Sequence, residues 1–163
     1  MKGRDVVMSS SKMDWETPDI VLDAVRKMGP IELDPATTAD NPTGAERFFT
    51  PEDDGLDRNW ESLGLVFCNP PYGRGIGDWV YKAWRQSLFS VEFECIMLVP
   101  ARTDTKWWHE ACPASYCFWK GRLRFKGAES SAPFPSALLY WGVREDRFRD
   151  VCDDYGIVMK EDL

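Results

Sequence analysis

The chain has 163 residues, 44% of them hydrophobic, and a formal net charge of −7, which suits one domain with an ordinary buried core. It has no run of about 18 apolar residues, and its polar start lacks the apolar region of a signal peptide, so no membrane association is expected. Five cysteines without a C-x-x-C pair and a single histidine predict neither a disulfide framework nor a metal site, and a reducing cytoplasm is the expected location.

The first element is predicted to follow a short polar segment. Residues 1–13 are expected to form a flexible N-terminal arm, and residues 14–163 a single domain. Residues 17–28 have the periodicity of a helix, with Thr17 as its cap and Pro18 in the first helical position. The predicted inward face consists of Ile20, Val21, Ala24, Val25 and Met28.

Short apolar runs then alternate with helical patterns. Strands are predicted at residues 31–34, 45–49, 64–68, 93–99, 115–119 and 136–142. A helix is predicted over residues 77–90, with Trp79, Val80, Ala83, Trp84 and Leu88 facing inward. This alternation predicts an α/β fold with a largely parallel sheet.

Two turns directly follow predicted strands. They are Asp34-Pro35-Ala36 and Asn69-Pro70-Pro71-Tyr72. Because ligands of open parallel sheets bind outside the carboxyl ends of the strands, both turns are expected at one site.

The sequence Asn69-Pro70-Pro71-Tyr72 suits the methylation of a planar amino group such as the exocyclic amine of adenine. The lone pair of that amine is delocalised into the ring, so the amine is a poor nucleophile. The Asn69 side-chain oxygen and the Pro70 carbonyl could both accept hydrogen bonds from it and direct its lone pair towards a methyl donor, while Pro70 and Pro71 stiffen the loop. Tyr72 offers a flat face on which an extruded base could stack.

The stretch from Trp15 to Tyr140 carries a series of motifs in one order: D-W-E-T-P, L-D-P-A, E-D-D-G-L, F-C-N-P-P-Y-G, L-V-P-A-R-T-D-T-K-W and K-G-R-L-R-F. In this series the chain resembles the phage-type Dam-like DNA N-6-adenine methyltransferases. The resemblance implies the Rossmann-like fold of S-adenosylmethionine-dependent methyltransferases, with a late antiparallel hairpin. It also implies S-adenosylmethionine as methyl donor, adenine in DNA as acceptor, and, for a phage-encoded enzyme, the cytoplasm of a bacterial host.

The resemblance further implies a cofactor site. Its residues are Trp15, Thr17, Pro18, Asp34, Pro35, Ala36 and Asp54. By resemblance, the segment around Trp15 closes over the methionine tail, Asp34 binds the methionine ammonium, and Asp54 accepts a hydrogen bond from the adenine amine of the cofactor. The loop D-P-A-T-T replaces the glycine-rich loop of most methyltransferases, and Glu46 and Glu52 are the available acids for the ribose hydroxyls.

The basic residues are concentrated late in the chain. Residues 100–127 contain six Lys or Arg against one Asp and one Glu, which predicts a confined basic face on an acidic protein. Arg102 follows the strand at 93–99 and is expected to contact phosphate.

The motif K-G-R-L-R-F resembles the family's late hairpin, which borders the base pocket. The resemblance implies that Lys120 and Arg122 bind DNA and that Phe125 stacks on the target base. Arg122 and Arg124 are expected to project from one face of a strand while Leu123 packs inward.

Other functions remain open at this level. The acceptor could be another planar amino group, as in RNA adenine or protein glutamine, because any such group poses the same chemical problem. The chain could also be a non-catalytic relic that binds DNA. The recognition sequence and the oligomeric state are not encoded in any recognisable pattern.

Overall fold

The structure is a computed structural model that describes residues 15–111 and 113–160. The predicted N-terminal arm, residues 1–13, lies outside the described residues. Within the described ranges, no helix combines the length and the apolar character needed to cross a membrane.

The described residues build one sheet of seven strands in the order β2-β1-β3-β4-β6-β5-β7. The strands are β1 Ile31–Asp34, β2 Arg47–Phe48, β3 Leu65–Cys68, β4 Glu94–Pro100, β5 Ser115–Trp119, β6 Ser136–Trp141 and β7 Gly156–Lys160. Strands β2, β1, β3 and β4 pair in parallel, whereas β4–β6, β6–β5 and β5–β7 are antiparallel. The α/β prediction is confirmed, but the antiparallel half is larger than the single hairpin expected.

Four helices accompany the sheet: α1 Asp19–Arg26, α2 Ile76–Phe89, α3 Lys106–Glu110 and α4 Glu145–Cys152. Helix α4 and strand β7 are additional to the elements expected from the sequence. In α4, five of eight residues are charged and only Phe148, Val151 and Cys152 are buried. A helix with an apolar stripe this narrow is stabilised mainly by tertiary packing, so the periodicity of its sequence gives little signal for it.

The start of α1 differs from the prediction. Pro18 occupies the N-cap position and no side chain caps the helix, so the capping role expected for Thr17 is wrong. The Thr17 hydroxyl instead accepts a hydrogen bond from Asn69, 52 positions along the chain. Ile20, which was expected on the inward face of the helix, is 52% exposed, and Leu22 is buried there instead.

The inward face of α2 is also narrower than predicted. Val80 and Ala83 are fully buried, Trp79 and Trp84 are half-buried, and Leu88 is 64% exposed. The helix therefore covers the sheet with its first three turns and leaves its carboxyl end in solvent.

The order in which strands are added to the sheet reverses at β1. From β1 the chain passes to β2 on one side and then crosses to β3 on the other side. Loops that leave two neighbouring parallel strands in opposite directions open a crevice between them. The turns after β1 and β3 lie on either side of this crevice.

The segment after β2 approaches the turn after β1 closely. It forms a 3-10 turn, Pro51–Asp53, and then Asp54 adopts a left-handed conformation at φ 53°. A Cβ atom at Gly55 would lie 1.9 Å from the Pro35 carbonyl oxygen, so only glycine fits here. The fully buried Trp60 donates from Nε1 to the Gly55 carbonyl at 2.7 Å and holds this turn in place.

Replacing Trp60 by Phe should therefore loosen the turn at Gly55. The variant leaves a buried carbonyl without its donor, and we expect the free energy of unfolding to fall by about 2 kcal/mol, measured by urea titration. Trp84→Phe is the control, because in residues 15–111 and 113–160 the Trp84 indole nitrogen makes no hydrogen bond. Equal losses for the two variants would contradict a special role for the Trp60 hydrogen bond.

Candidate active site

A cavity of about 290 Å³ occupies the crevice between the turns after β1 and β3. It is lined by residues 15–17, 35–38, 42, 50, 51, 54, 55, 69–71 and 79. Eight residues singled out from the sequence meet here: Trp15, Thr17, Pro35, Ala36, Asp54, Asn69, Pro70 and Pro71. The turns after two different strands therefore form one site.

Sequence reasoning missed several lining residues. Among them are Thr37, Thr38, Thr50 and Trp79. The two threonines after Ala36 are adjacent to the predicted turn, but Thr50 and Trp79 reach the cavity only through the packing of β2 and α2. The acids suggested for the ribose, Glu46 and Glu52, are exposed and are not among the lining residues.

Asn69 is held by residues 15–17, which we call the strap. Its Nδ2 donates to the Trp15 carbonyl at 2.5 Å and to the Thr17 hydroxyl at 3.0 Å. Because a carbonyl can only accept, these contacts determine which end of the amide carries the nitrogen. The opposite atom, Oδ1, is buried and has no hydrogen-bond partner among the described residues.

Asp34 lies beneath the cavity and does not line it. The residue is 2% exposed. Its Oδ1 accepts from the Ala36 backbone N–H at 3.1 Å, and its Oδ2 accepts from the Thr43 hydroxyl at 2.8 Å. Burial raises the pKa of Asp34 to about 6, although both hydrogen bonds act in the opposite direction. Both carboxylate oxygens are therefore engaged from within the protein, where they organise the loop that follows β1.

Tyr72 does not present the open stacking face expected of it. The residue is 6% exposed, and its hydroxyl donates to the Leu98 carbonyl at 3.3 Å. Its ring meets Phe125 and Phe134 edge-on at centroid distances of 6.0 and 5.6 Å. Phe125, the other predicted stacking residue, is 1% exposed, and its ring centroid lies 5.1 Å from that of Trp15. These four rings form an aromatic cluster beside the cavity, in which Trp15 and Phe134 remain half-buried.

Pro18, which the resemblance placed in the cofactor site, is buried but does not line the cavity. Its carbonyl accepts hydrogen bonds from the backbone of the first turn of α1. Pro18 therefore anchors the strap to the helix.

The predicted basic residues lie at the same edge of the sheet as the cavity. Arg102 follows β4, and β5, which runs in the same direction, ends just before Lys120. Both side chains and that of Arg122 are exposed. Residues 122–125 are not a strand, so the prediction of a strand in a late hairpin is wrong here. The alternation of basic and apolar residues nevertheless predicted the burial correctly, because Arg122 and Arg124 are exposed and Leu123 is buried.

Two of the six late basic residues are paired with acids. Lys126 contacts Asp19 at 2.6 Å and Glu16 at 3.8 Å, and Lys106 forms an i,i+4 pair with Glu110. The basic edge therefore consists mainly of Arg102, Lys120, Arg122 and Arg124.

Neither Cys68 nor His109 is among the residues that line the cavity. Between residues 15 and 160, with residue 112 left aside, no three His, Cys, Asp or Glu side chains cluster as metal ligands. Burial raises the pKa of Cys68 well above its usual value, so this thiol stays protonated. The His109 ring contacts the Thr103 carbonyl at 2.7 Å.

Comparisons with known proteins give a family match and a similar phage protein. The model of a family described as "DNA N-6-adenine-methyltransferase (Dam)" matches residues 6–137. A protein of Escherichia phage T1 described as "DNA N-6-adenine-methyltransferase" is 33% identical over 98 residues. That alignment covers 60% of this chain and 40% of the phage protein, so the chain matches less than half of that relative's length.

The buried Asp34 predicts a pH dependence of stability. Because its folded pKa, about 6, exceeds the unfolded value near 3.9, the folded state binds the proton more tightly. The contribution of this group to stability therefore falls as the pH rises from about 4 to about 6. In Asp34→Asn the amide oxygen can still accept from the Ala36 N–H, and the amide NH₂ can donate to the Thr43 hydroxyl oxygen. Relative to this variant, we expect the parent to lose up to roughly 3 kcal/mol over this window.

Urea titrations of both proteins at a series of pH values measure this difference. Asp40→Asn, which makes the same charge change at an exposed position, is the control. Parallel curves for the parent and Asp34→Asn would contradict the burial cost assigned to Asp34.

Proposed function

The chain belongs to the DNA N-6-adenine-methyltransferase (Dam) family, and on that premise we propose that it transfers a methyl group from S-adenosylmethionine to the N6 amine of adenine in DNA. The observation that carries the proposal is the arrangement at Asn69. A buried amide oxygen without a partner lies on a residue that lines the cavity. Leaving such an acceptor unpaired costs about 1–3 kcal/mol, which an incoming amine would relieve.

The residues around the cavity fit S-adenosylmethionine, a nucleoside joined to a cationic amino-acid tail. The cavity lies at the switch point of the sheet, which is where nucleotide-type ligands bind in Rossmann-like folds. Its wall combines the carboxylate of Asp54 with the hydroxyls of Thr37 and Thr38 and the aromatic rings of Trp15 and Trp79. The Asp54 carboxylate can accept a hydrogen bond from the adenine amine of the cofactor, the aromatic faces stabilise its cationic part, and the threonine hydroxyls offer hydrogen bonds to the sugar and the base.

When bound, the cofactor supplies a methyl group on a positively charged sulfur, which is already a good leaving group. The chain's own task is to orient the acceptor amine. Asn69 Oδ1 and the Pro70 carbonyl would accept its two N–H bonds, so that the lone pair is directed at the methyl carbon. The two prolines limit the freedom of this loop, which keeps the acceptors in place before the substrate arrives.

Entry of the base requires a local rearrangement. Asn69 Oδ1 is covered and the Tyr72 ring is enclosed by Phe125 and Phe134. Phe134 is the half-buried member of this pair and belongs to an irregular segment between two prolines. We propose that Phe134 moves aside as the base enters and that Tyr72 then becomes available for stacking.

The basic edge supports DNA as the substrate. Arg102, Lys120 and Arg122 are exposed at the edge of the sheet that carries the cavity. Phosphate contacts from these residues would hold the backbone beside the site.

The test of the function is methyl transfer from labelled S-adenosylmethionine to plasmid DNA, total RNA and protein, with digestion of the DNA to identify N6-methyladenine. Label in RNA or protein instead of DNA would assign a different acceptor. Calorimetry with S-adenosylmethionine tests the alternative of a non-catalytic relic, because a relic would bind DNA without binding the cofactor.

Asn69→Ala should lose turnover selectively. The variant removes one preorganised acceptor at the reacting nitrogen, and we expect kcat to fall by about 10²-fold or more, with the dissociation constant for S-adenosylmethionine little changed. Asn59→Ala, an exposed site outside the cavity, is the matched control. Methylation by Asn69→Ala at the parent rate would remove the role proposed for the amide.

DNA binding should depend on salt through the basic edge. Each lost phosphate contact lowers the slope of log K against log salt concentration by roughly 0.9 on duplex DNA. We therefore expect Arg102→Ala and Arg122→Ala to weaken DNA binding and flatten its salt dependence, with cofactor binding unchanged. Arg85→Ala, in the carboxyl-terminal half of α2, should match the parent, and unchanged slopes for both test variants would place the DNA elsewhere.

A further inference from the structure

We infer that Thr17 is a positioning residue for the Asn69 amide, an inference that rests on the proposed function. The resemblance assigns the strap to the cofactor tail. The structure adds a second task, because the Thr17 hydroxyl contacts the side chain that would receive the substrate amine.

The two acceptors on the strap use both protons of the Asn69 amide. The Trp15 carbonyl and the Thr17 hydroxyl oxygen each accept one Nδ2–H bond. An amide rotated by 180° would bring Oδ1 against the Trp15 carbonyl, two acceptors with no proton between them. The strap therefore keeps Oδ1 as the atom without a partner and leaves it for the substrate.

The strap itself is held by tertiary contacts. Glu16 forms an antiparallel bridge with Lys126, and the Lys126 N–H donates to the Glu16 carbonyl at 3.1 Å. Trp15 packs against Phe125, and Thr17 itself is 5% exposed. Since these contacts hold the backbone beside Thr17, its hydroxyl does not need the cofactor to reach Asn69.

This arrangement predicts that loss of the Thr17 hydroxyl affects the orientation of the Asn69 amide more than the binding of cofactor or DNA. Removal of the Thr17 hydroxyl leaves the Trp15 carbonyl as the remaining acceptor, so the amide keeps one anchor and gains freedom to rotate. A neutral hydrogen bond of ordinary strength corresponds to about tenfold in a rate or an equilibrium. We expect Thr17→Val to lower kcat by about tenfold and to change the dissociation constants for S-adenosylmethionine and DNA by a smaller factor than kcat.

The kinetic experiment compares four proteins: the parent, Thr17→Val, Thr17→Ser and Thr103→Val. Thr17→Ser retains the hydroxyl and should restore most of the parent kcat. Thr103→Val makes the same chemical change at an exposed position outside the cavity, and at saturating DNA its kcat should match the parent. A parent-like kcat for Thr17→Val, or a loss in Thr17→Ser equal to that in Thr17→Val, would overturn the inference.

A second measurement uses the cofactor-free protein and does not depend on catalysis. In the parent, the side-chain NH₂ signals of Asn69 in a ¹⁵N NMR spectrum should show slow hydrogen exchange at both protons, because both are hydrogen-bonded. Their assignment follows from their disappearance in Asn69→Ala. Thr17→Val, or Thr17→Ala if the valine variant unfolds, should speed exchange at one proton.

The two outcomes separate this inference from the proposed function. Fast exchange of both Asn69 protons in the parent would show that the strap does not hold the amide, whatever the enzyme methylates. A parent that transfers no methyl group to DNA but shows the expected NMR change would retain the Thr17–Asn69 contact and remove its catalytic meaning, which overturns the positioning role.

Discussion

The hydrogen bonds from Asn69 Nδ2 to the strap are the constraint on which the site depends. They join a loop after β3 to a segment more than 50 residues earlier in the chain, and they decide which atom of the amide is left without a partner. The same strap pairs with Lys126 in the loop between β5 and β6. The proposed cofactor pocket and the proposed amine acceptor therefore meet at three consecutive residues, and Lys126 ties these residues to the loop that follows β5.

The turn after β1 shows how this protein manages without a glycine-rich first loop. Asp34 organises the loop from below by accepting from the Ala36 N–H, and burial of its carboxylate is costly, as the raised pKa indicates. Close backbone approach does occur at the cavity, but the glycine that allows it is Gly55, which lies against the Pro35 carbonyl. The position that requires glycine is therefore in the segment after β2 and not in the loop after β1. Trp60 holds this glycine in place through its hydrogen bond to the Gly55 carbonyl.

A net charge of −7 is compatible with a DNA substrate because Arg102, Lys120 and Arg122 are exposed at the edge of the sheet that carries the cavity. The count of late basic residues nevertheless overstates the charge available to phosphate. Lys126 is paired with Asp19 and Glu16 and stabilises the strap. The aromatic residues near the cavity also differ in how accessible they are. Tyr72 and Phe125 are enclosed in the cluster, whereas Trp15 and Phe134 are only half-buried.

The sequence by itself determined the α/β class, the buried strands β1, β3 and β4, and the two turns that form the cavity, because apolar runs and proline turns are local signals. It also determined Asn69 as the central polar residue, through its place directly after a buried strand. Only the tertiary structure decided the antiparallel half of the sheet, since α4 is mostly charged, β7 leaves Ile157 and Met159 exposed, and both elements are stabilised by packing on β5. Only the tertiary structure changed Thr17 from a helix cap into a partner of Asn69 and enclosed Tyr72 and Phe125. Those outcomes depend on contacts between residues about 50 or more positions apart, and the distance between such residues is not encoded in the pattern around either of them.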